Sequence, residues 1–125
     1  MERHTKIFVF GSNLAGRHGK GAALFARQYH GAINGKGEGF QGASYAIPTK
    51  NQKLESLPLE QIKEAANRFK AFAATHPEML FQVTPIGCGL AGYVPVEIAP
   101  MFEGCPDNCE LPDEFRKVLE RQAFF

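Results

Sequence analysis

The 125-residue sequence has no tryptophan, only three cysteines, no long apolar run and almost no excess of charge. Each shortage excludes a class of protein. Without a stretch near the roughly 20 apolar residues needed to cross a bilayer, no membrane-spanning helix is expected. A formal net charge of +1 gives no basic footprint for nucleic acid and none for an anionic membrane surface. An odd, small number of cysteines does not make a disulfide framework and fits a reducing compartment. Residues 1–6 lead straight into Ile7-Phe8-Val9-Phe10 with neither an apolar leader nor a small-residue cleavage site, so a cytoplasmic location is expected. The missing tryptophan leaves the core to eleven phenylalanines. Hydrophobic residues at 44% and charged residues at 22% sit near globular averages, which excludes wholesale disorder and fibrous repeats. One domain over residues 1–125 is expected, with no linker, repeat or second unit.

Glycine is plentiful and unevenly placed. Residues 6–10 read as a buried strand closed by Gly11-Ser12-Asn13. Residues 19–29 are Ala-rich, with Ala22, Phe25, Ala26 and Tyr29 on one helical face. Five glycines within residues 31–42 predict a loop. Residues 43–47 form a second expected strand, stopped by Pro48, with Thr49 and Lys50 at its end. A helix over 59–75 follows from Leu59, Ile62, Ala66, Phe69 and Ala73, with Pro58 before it and His76-Pro77 after it. Residues 80–84 are a third strand, and Pro95 opens a helical stretch over 96–102. The tail reads as loop through Asp113 and as helix over 114–122. Strand and helix alternate, so the expected class is α/β, a three-layer α/β/α domain with a mainly parallel central sheet. Residues 11–21, 48–50 and 87–93 all follow strands and therefore converge on the carboxyl edge of that sheet, where such folds bind ligands.

Gly87-Cys88-Gly89-Leu90-Ala91-Gly92 spells G-x-G-x-x-G between a strand and a helix, the context in which backbone N–H groups cradle phosphate. The alternative is a tight turn and nothing more. The residues after Gly92 do not accommodate a full dinucleotide fold, so NAD-dependent hydride transfer is not expected. Residues 37–42 repeat the pattern but lead into a strand, and Gly19-Lys20-Gly21 lacks the Ser or Thr of a P-loop. In the first loop, Ser12, Asn13, Arg17, His18 and Lys20 crowd a helix amino terminus, where the helix dipole favours an anion. Asn13 is either a ligand contact or a turn cap. His18 is a candidate acid–base group or an ordinary loop histidine. Lys50 is a candidate phosphate contact or nucleophile, against a solvated lysine. Cys88 is a thiolate helped by the following helix or a small buried side chain. Cys105 and Cys109 have no second ligand pair, so no structural zinc is expected, nor any other metal or cofactor.

Together, Phe8-Val9-Phe10-Gly11-Ser12-Asn13, Gly19-Lys20-Gly21-Ala22-Ala23 and Ile86-Gly87-Cys88-Gly89-Leu90-Ala91-Gly92-Tyr93 resemble the macrodomain family of ADP-ribose-binding proteins. The likeness spans roughly residues 6–102, with the Gly-Cys-Gly-Leu run its most specific piece. It implies that Gly87, Cys88, Gly89, Leu90, Ala91, Gly92 and Tyr93 wrap a diphosphate and distal ribose. Asn13, beside Ser12, is implied to hydrogen-bond that ribose, and Gly19, Gly21 and Ala22 to complete the pocket. In the branch that removes ADP-ribose from carboxylate esters, a strand-end Thr-Lys and a later Asp do the chemistry. Thr49-Lys50 is similar to the former, whereas Ala91 stands at the place of the Asp. The early Asp with which family members read the adenine amino group has no visible equivalent, and no final strand is expected in residues 105–125. The resemblance is thus to a compact, divergent member.

The expected function is binding of ADP-ribose or a related phosphorylated nucleotide, with hydrolysis of an ADP-ribose derivative involving Asn13, His18 or Lys50. A non-catalytic module that senses such a ligand is the alternative. A third possibility is an interaction protein that keeps the fold without the ligand. The expected partner is a small molecule, not nucleic acid or membrane.

Overall fold

The computed structural model of the chain describes residues 5–122, so the reading of residues 1–4 lies outside the described residues. Among the described residues the fold is α/β, with a five-stranded, mostly parallel sheet and four helices. Its centre is β1 (Thr5–Asn13), which pairs in parallel with β3 (Ser44–Lys50) on one side and with β4 (Met79–Val83) on the other. Two short strands complete the order β2-β3-β1-β4-β5: β2 (Gly39–Gln41), antiparallel to β3, and β5 (Cys109–Glu110), parallel to β4.

The alternation along β1 divides the buried residues into two clusters. Ile7 and Val9 enter one buried cluster, while Phe8 and Phe10 enter another, because successive side chains of a strand point to opposite faces. The smaller cluster joins Phe10 to Ala23 and Ala26 of α1 (Gly21–Tyr29), where small side chains let helix and sheet approach. The larger takes Ile62, Ala65, Ala66, Phe69 and Ala73 of α2 (Leu59–Ala74), the full apolar stripe of that helix. Phe69 is fully buried, with its ring 5.0 Å from Tyr45, edge-on, and 5.4 Å from Phe81. Contacts of this kind add to the area buried.

Several elements differ from those the sequence predicts. The first strand runs on through Gly11-Ser12-Asn13, and the third is shifted to Met79–Val83. Pro48 does not stop its strand. It lies beyond the last β2 pair, Gly39 opposite Ala46, and at a register shift against β1, places where a missing N–H breaks no ladder. The expected loop over 31–42 contains β2. Gln41 holds that region by accepting from the Ile33 amide at 2.8 Å and donating to the Lys36 carbonyl at 3.1 Å. The stretch after Pro95 divides into α3 (Pro95–Ile98) and a 3-10 turn, Ala99–Phe102. The tail does hold a final strand, β5, before α4 (Asp113–Gln122). Among the described residues no helix is long and apolar enough to cross a membrane.

Replacing Phe69 with Ala removes the ring that links α2, β3 and β4, and is expected to cost about 3–5 kcal/mol. Urea unfolding with an unchanged m-value is the measurement that checks it.

Candidate functional site

Because β1, β3 and β4 run the same way, their carboxyl ends share one edge, and a cavity of about 770 Å³ opens there. β1 contributes Gly11, Ser12 and Asn13; the loop and helix start after it contribute Arg17, Gly19, Lys20, Ala22 and Ala23. The end of β3 adds Thr49 and Lys50, and the segment after β4 adds Gly87, Cys88, Gly89, Leu90 and Ala91. Thr84 fastens β4 to β1 at this edge: its amide and hydroxyl both donate to the Val9 carbonyl, at 3.1 and 2.7 Å.

The 87–92 loop is held by its own turns and by its neighbours. Cys88 N–H donates to Pro85 at 3.1 Å, Gly92 N–H to Gly89 at 3.0 Å and Tyr93 N–H to Gly87 at 2.9 Å. Ser56 donates its hydroxyl proton to the Ala91 carbonyl at 2.6 Å, and the Tyr93 hydroxyl donates to Leu57 at 2.6 Å. Among the described residues, the N–H groups of Gly87, Gly89, Leu90 and Ala91 have no acceptor. Gly87 sits at φ +76°, and a Cβ there would lie 3.1 Å from Ile98, so this turn needs glycine. The start of α1 faces the same cavity. Lys20 gives it no side-chain cap, which leaves first-turn amides and the positive end of the helix open. The two segments meet, since Leu90 Cδ1 is 3.6 Å from where a Cβ on Gly21 would stand.

Not every residue predicted for the site lines the cavity. Gly21, Gly92 and Tyr93 lie just outside its lining: Gly21 turns the chain into α1 at φ +58°, Gly92 closes the loop at φ +85°, and Tyr93 is a strut. His18 is also elsewhere. Its ring is 1% exposed, edge-on to Phe10 at 5.3 Å, with Nε2 3.2 Å from the Lys36 carbonyl, beside a second cavity of about 260 Å³ that includes Arg17, Arg27 and Asn34. Against the expectation, it lines that second cavity and not the one at the strand ends, with Phe10 packed against its ring. Asn13 is 7% exposed and caps its own loop: Nδ2 donates to the Arg17 carbonyl at 2.8 Å, and Oδ1 accepts from the Arg17 amide at 2.9 Å. One N–H of its carboxamide is left for a ligand.

Electrostatically the cavity is mixed. Arg17, Lys20 and Lys50 supply positive charge, and Glu114 of α4 supplies a carboxylate. Burial first, then the charges of Glu114 and Glu97, push the Cys88 thiol up from its ordinary pKa, which disfavours the thiolate. Glu114 carried no signal in the sequence. It reaches the cavity only because β5 returns the chain to the same edge. Thr84, Pro85 and Ile86 lie directly before Gly87, and Leu54 belongs to the turn after Lys50. Among the described residues no group of three or more His, Cys, Asp or Glu is arranged to hold a metal ion.

Comparison with known proteins returns no matching family model and no matching curated protein.

The first loop depends on close backbone approach at Gly37, where a Cβ would stand 2.3 Å from the Asn13 carbonyl oxygen; Gly19 has open space. Gly37→Ala is therefore expected to destabilise the fold by about 1–3 kcal/mol, as overpacking does, while Gly19→Ala leaves the midpoint of thermal unfolding nearly unchanged. Paired thermal melts check the contrast.

Proposed function

We propose that the cavity binds ADP-ribose or a closely related phosphorylated nucleotide, and that the chain is a three-layer, macrodomain-like α/β/α domain. The observation that carries this is the set of unpaired amides of Gly87, Gly89, Leu90 and Ala91, residues that line the same cavity as the uncapped start of α1. Amides left without protein partners at a strand-to-helix turn suit a diphosphate, which accepts many hydrogen bonds and is favoured by the positive helix end. Arg17 and Lys20 neutralise its charge. The remaining N–H of Asn13 donates to a ribose hydroxyl, and Lys50 lies beside that sugar at the end of β3.

Binding without turnover is the second reading, and two observations favour it. Ala91 offers no carboxylate where the ester-cleaving branch has one, and the buried His18 does not line the cavity. In the hydrolytic reading Lys50 acts at the anomeric carbon. Incubation with ADP-ribosylated protein and with ADP-ribose 1″-phosphate separates the two, since only an enzyme releases product, and Lys50→Ala then abolishes that release.

Gly89→Val tests the phosphate cradle. The position has no neighbour within 4 Å and an ordinary φ, so the fold tolerates the side chain while the branched carbons obstruct the approach of a phosphate. Calorimetry is expected to show ADP-ribose affinity falling at least about tenfold, or about 1.4 kcal/mol, with an unchanged melting temperature. Unchanged affinity in a folded variant overturns the proposal.

A further inference from the structure

We infer that the second, smaller cavity is a binding site for free hydrogenphosphate, held by Arg17 and Arg27 and by the unpaired ring nitrogen of His18. The inference is independent of the nucleotide reading, since His18, Arg27 and Asn34 do not line the larger cavity.

The buried histidine carries the argument. Among the described residues, His18 Nδ1 is the buried side-chain polar atom with no hydrogen-bond partner. A buried polar atom left unpaired costs free energy, so one that persists in a fold points to a bound species that completes it. The rest of the residue is fixed. Its ring stands edge-on to Phe10 at 5.3 Å, Nε2 is 3.2 Å from the Lys36 carbonyl, and its amide donates to Asn34 Oδ1 at 3.2 Å. A carbonyl only accepts, so Nε2 holds the proton and Nδ1 of the neutral ring presents a lone pair. An occupant must therefore bring a donor to it.

The surroundings ask the same occupant for negative charge. Arg17 and Arg27 line the cavity, and no acidic side chain does. Among the described residues neither guanidinium has an ion pair or a hydrogen bond. Exposed arginines alone say little, but these two share their cavity with a buried, unpaired acceptor. The walls are also pinned before any ligand arrives: the Gly35 amide donates to the Gly16 carbonyl at 2.8 Å, and a Cβ on Gly16 would stand 2.4 Å from Gly35. At about 260 Å³ the space is smaller than the roughly 300–1,000 Å³ of pockets for drug-sized ligands and suits a small oxyanion.

One chemistry meets both demands. Sulfate satisfies the arginines but sets acceptor against acceptor at Nδ1, and a water molecule satisfies Nδ1 but leaves the arginines unneutralised. A phosphate that keeps one P–OH donates that proton to Nδ1 while its anionic oxygens accept charge-assisted hydrogen bonds from both guanidinium groups. Above a second pKa of about 6 a phosphate monoester has lost its last P–OH, whereas the free ion retains one. The free ion is thus the ligand that fits.

The test follows the His18 ring by NMR in protein labelled with 15N-histidine, at about pH 8, where an ordinary histidine is neutral. Sodium phosphate and sodium sulfate are titrated at equal ionic strength. Phosphate is expected to move the Nδ1 resonance saturably, and sulfate to bind at least about tenfold more weakly, as loss of a hydrogen bond to a charged group implies. Arg27→Gln, on the exposed side of α1, is expected to weaken phosphate at least about fivefold with an unchanged melting temperature, and Arg27→Lys to recover part of the loss. An Nδ1 resonance that stays still at millimolar phosphate, sulfate bound as tightly as phosphate, or undiminished affinity in Arg27→Gln overturns the site. Phosphate shifts confined to the 87–91 amides also overturn it, because the ion then occupies the larger cavity, and the nucleotide reading stands.

Discussion

The parallel pairing of β1 with β3 and β4 is the constraint on which the site depends. Pairs such as Gly11 opposite Ile47 and Val9 opposite Val83 align three carboxyl ends, and every residue that lines the cavity except Glu114 lies at or after one of them. One antiparallel strand among the three would send its loop to the other edge. The pairing is itself held by the buried residues of β1, whose alternate side chains enter two separate buried clusters. A slip of one residue would exchange Ile7 and Val9 for Phe8 and Phe10, and both clusters would be lost.

Glycine lets the loops use that edge. Beyond the Gly37 approach, a Cβ on Gly16 would stand 2.4 Å from Gly35 and Lys36. The first loop is therefore pressed against the 35–37 segment, with the Ser12 hydroxyl donating to the Gly37 carbonyl and the Asn13 side chain closing the turn onto Arg17. For the proposed anion site such packing matters, because amides held in place before a ligand arrives need not be ordered on binding. The 87–92 loop gains the same property from Ser56 and Tyr93.

The sequence is legible where a local pattern and the final structure agree. The apolar stripe of α2 and the aromatic run of β1 are visible because each carries its own periodicity, and residues 87–92 stand out because a glycine pattern falls between a strand and a helix. The two short strands are not legible: Gly39–Gln41 and Cys109–Glu110 have almost no pattern of their own and exist through their partners. Pro48 misleads for the same reason, since whether a missing N–H matters depends on a neighbour far away in sequence. Residues 87–91 and Lys50 could be named as cavity candidates from their place after strands. Glu114 could not, because its position follows from β5, and the burial of His18 follows from packing on Phe10.

Amide chemical shifts in a 15N-labelled sample titrated with ADP-ribose test the central claim most directly. Saturable shifts of Gly87, Gly89, Leu90 and Ala91 together with Ala22 and Ala23 are the predicted result, because the proposal has both segments donate to one diphosphate. Shifts confined to one segment, or no shifts at millimolar ligand, would contradict it.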